Sequence, residues 1–146
     1  MPILAGQVVT AAQLNRLQPK TYDAVGTSNL TGPVTDGDVP GCSVTFTTTT
    51  ANAVATVVIA VDFDFTAATT TLGSGRLNVD GVGEPKYTIF QQGPGTSTDR
   101  ATGVQTYRVT LAAAGSHTLK ITATAPTGML VTGVYTSLVA TVYEVV

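Results

Sequence analysis

At 146 residues the chain is long enough to bury one hydrophobic core, and its hydrophobic share of 43% is ordinary. Charged residues make up only 11%, against about 25% in an average soluble domain, and threonine, a β-branched residue suited to pleated surfaces, fills about a fifth of the chain. A net charge of −2, with seven Lys and Arg scattered between Arg16 and Lys120, excludes the basic stripe that nucleic acid requires.

The first element is a short helix within AGQVVTAAQLNRLQP, residues 5–19. Thr10 is a suitable N-cap, and Gln13 completes the capping-box pattern T-x-x-Q. Val9 and Leu14 have the spacing of a hydrophobic staple, and Pro19 stops the helix after about two turns. Isolated helices shorter than about 12–15 residues are marginal in water, so this one must dock on something.

From Lys20 the pattern becomes β-structure. KTYDAV is a short strand, and NLTGPVTDGDVPG reads as turns because of Pro33, Gly37, Pro40 and Gly41. CSVTFT alternates, with Cys42, Val44 and Phe46 on one face, and the Thr47–Thr50 run reads as the following turn. AVATVVIAVDFDF is the strongest strand: Val57, Ile59, Val61, Phe63 and Phe65 share one face, and Thr56, Val58, Ala60, Asp62 and Asp64 share the other. TAATTTLGSG reads as a loop, GRLNVDG as a strand with Leu77 and Val79 inward, and KYTIFQQ as a strand opposing Tyr87 and Ile89 to Thr88 and Phe90. GPGTSTDRATG is the longest turn-like segment and is expected to be an exposed, mobile loop. VQTYRVTL puts Tyr107, Val109 and Leu111 inward; AAAG turns into SHTLKITAT, where Leu119, Ile121 and Ala123 point inward. The chain closes on VYTSLVATVYEVV, apolar on both faces.

This pattern gives about seven or eight strands at intervals of about 8–15 residues, with no second helix and no internal repeat. The expected fold is all-β: an antiparallel β-sandwich of the jelly-roll kind, with about eight strands over residues 20–146. A docking arm with the short helix, residues 1–19, precedes it.

The terminal strand carries one apolar face too many. Tyr135, Val139, Tyr143 and Val145 lie on one side, and Val134, Leu138, Ala140, Val142 and Val146 on the other. Only one side of a sandwich sheet meets the core, so the other needs a cover. Two helical turns cover little area, which favours another subunit over the N-terminal segment. The low charge agrees, because weakly charged surfaces favour association. Tyr135, Val139, Tyr143 and Val145 are therefore the candidate subunit-interface residues.

Signals for chemistry are absent. Cys42, the only cysteine, alternates in phase with Val44 and Phe46 and reads as a buried small hydrophobe. His117, the only histidine, follows a turn and reads as a polar residue at a strand start. One His with one Cys cannot make a zinc site. Asp36 with Asp38 fits turn chemistry, and Asp62 with Asp64 fits solvated edge charges, so neither pair is assigned a metal. Tyr87, Tyr107, Tyr135 and Tyr143 could stack on sugars if exposed, but aromatic side chains more commonly fill cores. Asn29-Leu30-Thr31 is a formal glycosylation sequon, set aside because the N-terminus lacks the basic and long apolar regions of a secretory signal. The most apolar stretch, residues 54–65, is interrupted by Asp62 and Asp64 and is too short to span a bilayer. The expectation is a protein that is not an enzyme, has no catalytic residue, cofactor or metal, and has no nucleic-acid or membrane partner.

The opening residues also carry a resemblance. Gly6, Thr10, Ala11, Leu14 and Asn15 match the form G-x-x-x-T-A-x-x-L-N, which resembles the N-terminal motif of bacteriophage tail-fibre and minor tail proteins. The stretch from DVPGCSVTFTT to AAAGSHTLKI looks like small tail or virion-surface proteins of actinobacterial phages. Leu111, Gly115, His117, Thr118, Leu119 and Lys120 form a turn similar to that of tumour-necrosis-factor and complement-C1q jelly rolls. The resemblance implies a virion structural protein assembled in the host cytoplasm: a trimeric knob on the tail whose arm faces the particle and whose β-domain faces outward. Candidate docking residues are Val9, Thr10, Leu14 and Leu17, contacting other virion proteins, and a host cell-surface glycan is the outer partner considered. No heptad or collagen-like shaft is present, so an extended fibre is not implied. A capsid decoration protein of the same fold is the nearest alternative, and a carbohydrate-binding module is the alternative of another class.

Overall fold

The strand with the clearest alternation, β4 (Ala53–Phe65), is the axis of the fold. Its inward residues Val57, Ile59, Val61, Phe63 and Phe65 are all fully buried, as the period of two requires. The computed structural model describes residues 8–68, 72–91 and 99–144. Before β4 come a helix, α1 (Ala11–Leu17), and strands β1 (Lys20–Val25), β2 (Leu30–Thr31) and β3 (Val34–Thr48). After it come β5 (Gly73–Val79), β6 (Val82–Gly83), β7 (Thr88–Phe90), β8 (Arg100–Leu111), β9 (Gly115–Ala125), β10 (Met129–Val131), a 3-10 turn (Gly133–Tyr135) and β11 (Ser137–Tyr143).

Two antiparallel sheets result. In the first, β1 pairs with β11, β11 with β4 and β4 with β8, while β10 lies along the far end of β4 with β2 beyond it. In the second, the order is β3-β9-β5-β6, with β7 also on β5. From β3 onward the long strands β3, β4, β5, β8 and β9 switch between sheets, apart from the short β6 and β7 hairpin partners of β5. That is the winding of a jelly roll, and the fold is the expected all-β antiparallel sandwich.

Aromatic side chains tie the two layers together. Tyr22 of β1 stacks on Phe46 of β3 with ring centroids 4.7 Å apart, and Phe65 packs against Phe90 at 5.2 Å. Tyr107 reaches across from β8; its hydroxyl donates to Lys86 O at 2.8 Å and accepts from Leu77 N–H at 3.2 Å. Burial, outweighing the Leu77 N–H, raises the Tyr107 pKa, so the phenol stays protonated and holds both bonds.

Several boundaries differ from the sequence expectation. The turn-rich Val34–Gly41 stretch is the first half of β3, an edge strand whose register shifts twice, between Val34 and Gly37 and between Asp38 and Ser43. Edge position and bulges are what let a strand carry Pro40, Asp36 at φ 49° and Gly41 at φ 84°. Thr47 and Thr48 both belong to the strand, and Thr48 is buried, so the turn starts at Thr49. Gly73 and Gly75 open β5 instead of closing a loop: a Cβ on Gly73 would clash with Met129 Sδ, and one on Gly75 would lie 2.9 Å from Val61 Cγ2. β8 starts at Arg100, inside the segment expected to be a mobile loop, and residues 93–98 of that segment, with the last residue of KYTIFQQ, lie outside the described residues. The last strand starts at Ser137, because Val134 and Tyr135 belong to the 3-10 turn.

The helix forms with the capping box read from the sequence: Gln13 N–H donates to Thr10 Oγ1 at 3.3 Å and Thr10 N–H to Gln13 Oε1 at 2.8 Å. Its apolar side chains do not enter the core; Leu14 is 52% exposed and Leu17 45%.

Candidate functional site

The outer face of the first sheet is the feature that stands out. Across it run four rows of paired residues: Tyr143–Val54–Thr110, Thr21–Thr141–Thr56–Arg108, Asp23–Val139–Val58–Thr106 and Val25–Ser137–Ala60–Val104. Val58, Val139 and Val104 are 40%, 43% and 61% exposed, and Tyr143 and Val25 are exposed beside them. Threonines fill the spaces, and Thr21 and Thr141 face each other at 3.4 Å. Beyond one end, on the inward side of the same strands, the Lys20–Glu144 pair sits at the rim of the sandwich, and its carboxylate also accepts from the backbone and side chain of Thr49. The other end holds Asp62 and Arg100. Among the described residues of these four rows the only charges are Asp23, at the β1 edge, and Arg108, at the β8 edge.

Of the residues expected at a subunit interface, Val139 and Tyr143 lie on this face. Tyr135 is exposed but sits on the 3-10 turn, not on β11, and Val145 lies outside the described residues. Val58, Val104 and Val25 were missed. Their signal was the alternation itself, which assigns every second residue of β1, β4 and β8 to the same side as Val139. The helix leaves this face open, since Val9, Leu14 and Leu17 are themselves exposed.

The outer face of the second sheet has the opposite character. Asp36 pairs with Arg76 at 2.7 Å and Asp38 with Lys120 at 2.7 Å, so neither carboxylate is spare for a metal. Arg76 also donates to the Tyr87 hydroxyl at 2.7 Å and lies 5.0 Å from its ring centroid. One sheet thus presents ion pairs to the outside and the other presents valine and threonine.

Two polar clusters correct the sequence reading. Asp62 is buried, not a solvated edge charge: Arg100 Nε donates to Oδ1 and Thr102 Oγ1 to Oδ2, each at 2.8 Å, and Arg100 Nη2 lies 2.8 Å from Oδ1. The Arg100 guanidinium in turn lies 4.3 Å from the Tyr135 ring centroid. His117 is also buried, on the inward side of β9 against Phe46. Its Nδ1 lies 2.7 Å from Asp80 Oδ2 and its Nε2 3.0 Å from Ala113 O, while Asp80 Oδ1 accepts Thr118 N–H at 2.7 Å. A carboxylate and a carbonyl can only accept, so both ring nitrogens donate and the ring is an imidazolium. Burial pulls the His117 pKa down, but the Asp80 bond, the Ala113 carbonyl and the Asp80 charge outweigh it, and the net shift is upward. With both nitrogens engaged, this histidine activates no nucleophile.

Cys42 is fully buried, and its Sγ donates to Thr136 O at 3.2 Å. Burial pushes its pKa up to about 11, which removes the thiolate needed for reactivity. Cys42 is expected to resist Ellman's reagent at about pH 8 in the folded protein and to react fully once guanidinium unfolds it; fast labelling of the native state would show that the Thr136 contact opens. Among the described residues no group of three His, Cys, Asp or Glu is placed to hold a metal ion, and no helix is long and apolar enough to cross a membrane.

No protein-family model matches the chain, and no curated protein matches it. Solved structures are similar to it only at low identity. The globular domain of zebrafish complement 1qA is 12% identical with a TM-score of 0.47, covering 88% of this chain and 98% of that one. A chain of the T13 IBDV viral particle is 13% identical with a TM-score of 0.48, covering 86% of this chain but only 31% of its own length. The CBM36-1 domain of a multidomain xylanase from the hindgut metagenome of Trinervitermes trinervoides is 12% identical with a TM-score of 0.43, covering 87% of this chain and all of that domain.

Proposed function

We propose that this chain is a non-enzymatic structural protein of a bacteriophage particle, a jelly-roll knob on the tail that assembles as a homotrimer and docks on other virion proteins through residues 1–19. The observation that carries this reading is the outer face of the first sheet. A soluble domain that stayed alone in water would be expected to place charges there, and this one keeps Val58, Val104, Val139 and Tyr143 exposed with only two charges among them. Further copies of the same chain cover such a face without needing a second gene product, and a cyclic arrangement closes after a fixed number of subunits. The ion-paired second sheet is then left as the outward surface, the side available to a host-surface glycan.

Light scattering on the eluting protein at micromolar concentration is expected to give three chains. Val58→Asp and Val139→Asp together place two unpaired charges in the covered face, and the expected result is a monomer with an unchanged far-UV spectrum. A wild-type monomer would sink the trimer. Immunogold labelling of the particle separates a tail knob from a capsid decoration protein, which uses the same fold and the same arm. A carbohydrate-binding module is the less favoured reading, because the exposed rings of Tyr87 and Tyr135 each already carry a guanidinium over one face; saturable binding on a glycan array would revive it.

A further inference from the structure

We infer that neighbouring copies meet with the β1 edge of one first sheet against the β8 edge of the next, and that Asp23 of one copy forms an ion pair with Arg108 of its neighbour. The inference rests on the reading that copies of this chain cover the outer face, and it adds which edges meet and what fixes their register.

Both edges are open. Among the described residues β1 pairs along its backbone only with β11, and β8 only with β4. Among the described residues no further strand pairs with either edge, and on β8 the Gln105 side chain donates to Thr106 O, so each edge offers backbone groups to a neighbour. Asp23 stands on one of these edges and Arg108 on the other, in adjacent rows of the face. Three strand spacings separate β1 from β8, about 14 Å at about 4.8 Å each, so the two residues cannot pair within one chain. Both are exposed, and among the described residues neither has an ion-pair or hydrogen-bond partner.

A lone charge in a face about to be covered is a penalty unless the covering surface supplies its opposite. One acid at one edge and one base at the other are what a head-to-tail contact needs: every interface receives one of each, and a closed ring leaves none over. A face-to-face slip that brings Asp23 onto the valine rows leaves both charges stranded, so the pair also selects register.

Charge reversal tests this. Asp23→Arg and Arg108→Asp each place like charges across the contact, and sedimentation equilibrium is expected to show each single variant associating at least about tenfold more weakly than wild type. The double variant Asp23→Arg/Arg108→Asp restores an opposite pair and is expected to return to within about threefold of wild type. Far-UV spectra and melting temperatures establish that all four proteins are folded. Wild-type association in both single variants, or a folded double variant that remains as weak as the singles, overturns the pairing. If Val58→Asp with Val139→Asp dissociates the protein while the reversals change nothing, the covered face stands and the edge assignment falls. A wild-type monomer takes both down.

Discussion

Raising the pH through the folded-state pKa of His117 is expected to destabilise this protein, and replacing Asp80 by Asn is expected to abolish that dependence. In the folded state both ring nitrogens donate, to Asp80 Oδ2 and to Ala113 O. Losing a proton leaves one of those acceptors facing a bare nitrogen lone pair in a buried site. The folded pKa lies above the ordinary value of 6.5, so the stabilisation is fully present below about 6.5 and disappears as pH rises through the raised folded value. Asp80 supplies the complementary limb. Burial raises its pKa, but the His117 bond, the Thr118 N–H and the His117 charge together lower it below the ordinary 3.8. Its contribution is present above that value and is lost as pH falls through the lower folded one. Stability should therefore be highest between the two limits. Asp80→Asn keeps the shape and suits the left-handed backbone at φ 51°, but it removes the charge. Because the Asp80 side chain is 43% exposed, the difference from wild type at about pH 5.5 should be only about 1 kcal/mol, narrowing as pH rises through the raised folded value of His117. Urea unfolding across this range, together with NMR titration of the only imidazole, reads both quantities. Parallel curves for the two proteins, or an imidazole titrating below its ordinary value, would falsify the assignment.

That same histidine shows where the sequence was legible and where it was not. The alternation His117, Leu119, Ile121, Ala123 already places His117 in the inward phase, yet its residue type and the preceding turn argue for a wet strand end. What buries it is Asp80, which is 37 positions away and comes close only because β5 and β9 are neighbours. Asp62 misleads for the same reason: its partners Arg100 and Thr102 come from β8, and no local pattern announces them. Long strands with strict alternation, β4, β8 and β9, follow from the residues alone. The short β2 and β10 do not, because two or three residues become a strand only by pairing. The start of β11 is set by a similar long-range device. Thr132 N–H donates to Asp62 O, and the Thr136 hydroxyl accepts Asp62 N–H while donating to Thr132 O, so the chain loops past Asp62 before β11 can pair. The surplus apolar face was visible in Val139 and Tyr143 because they lie in an apolar run. Val58 lies on the face of β4 that runs on to Asp62 and Asp64, and Val104 between Gly103 and Gln105; only the registers of β4 with β11 and β8 bring them together with Val139.

Deleting residues 1–19 is expected to leave the sandwich intact and to abolish incorporation into particles. The helix satisfies its own first turn through Thr10 and Gln13, and its apolar residues Val9, Leu14 and Leu17 are exposed, so the core loses nothing when it is removed. A change of less than about 3 °C in melting temperature is expected, since about 1 kcal/mol moves a domain of this size by about that much. The arm's docking strength follows from the same exposure. Burying the remaining surface of Val9, Leu14 and Leu17 is worth about 1 kcal/mol each, about 3 kcal/mol per arm, which alone corresponds to millimolar binding or weaker. In the proposed trimer three arms would act together, and linked weak contacts of this kind can gain about 10²–10⁴ in affinity over a single one. Assembly and docking are therefore coupled: Leu14→Asp with Leu17→Asp should release the protein from particles while leaving its mass unchanged, whereas Val58→Asp with Val139→Asp should release it by breaking the ring although every arm is intact. Immunoblots of gradient-purified particles read both outcomes. A truncated protein that still co-sediments with particles excludes the arm as the docking element, and a melting temperature lowered by much more than about 3 °C would show that the segment covers its own sandwich instead.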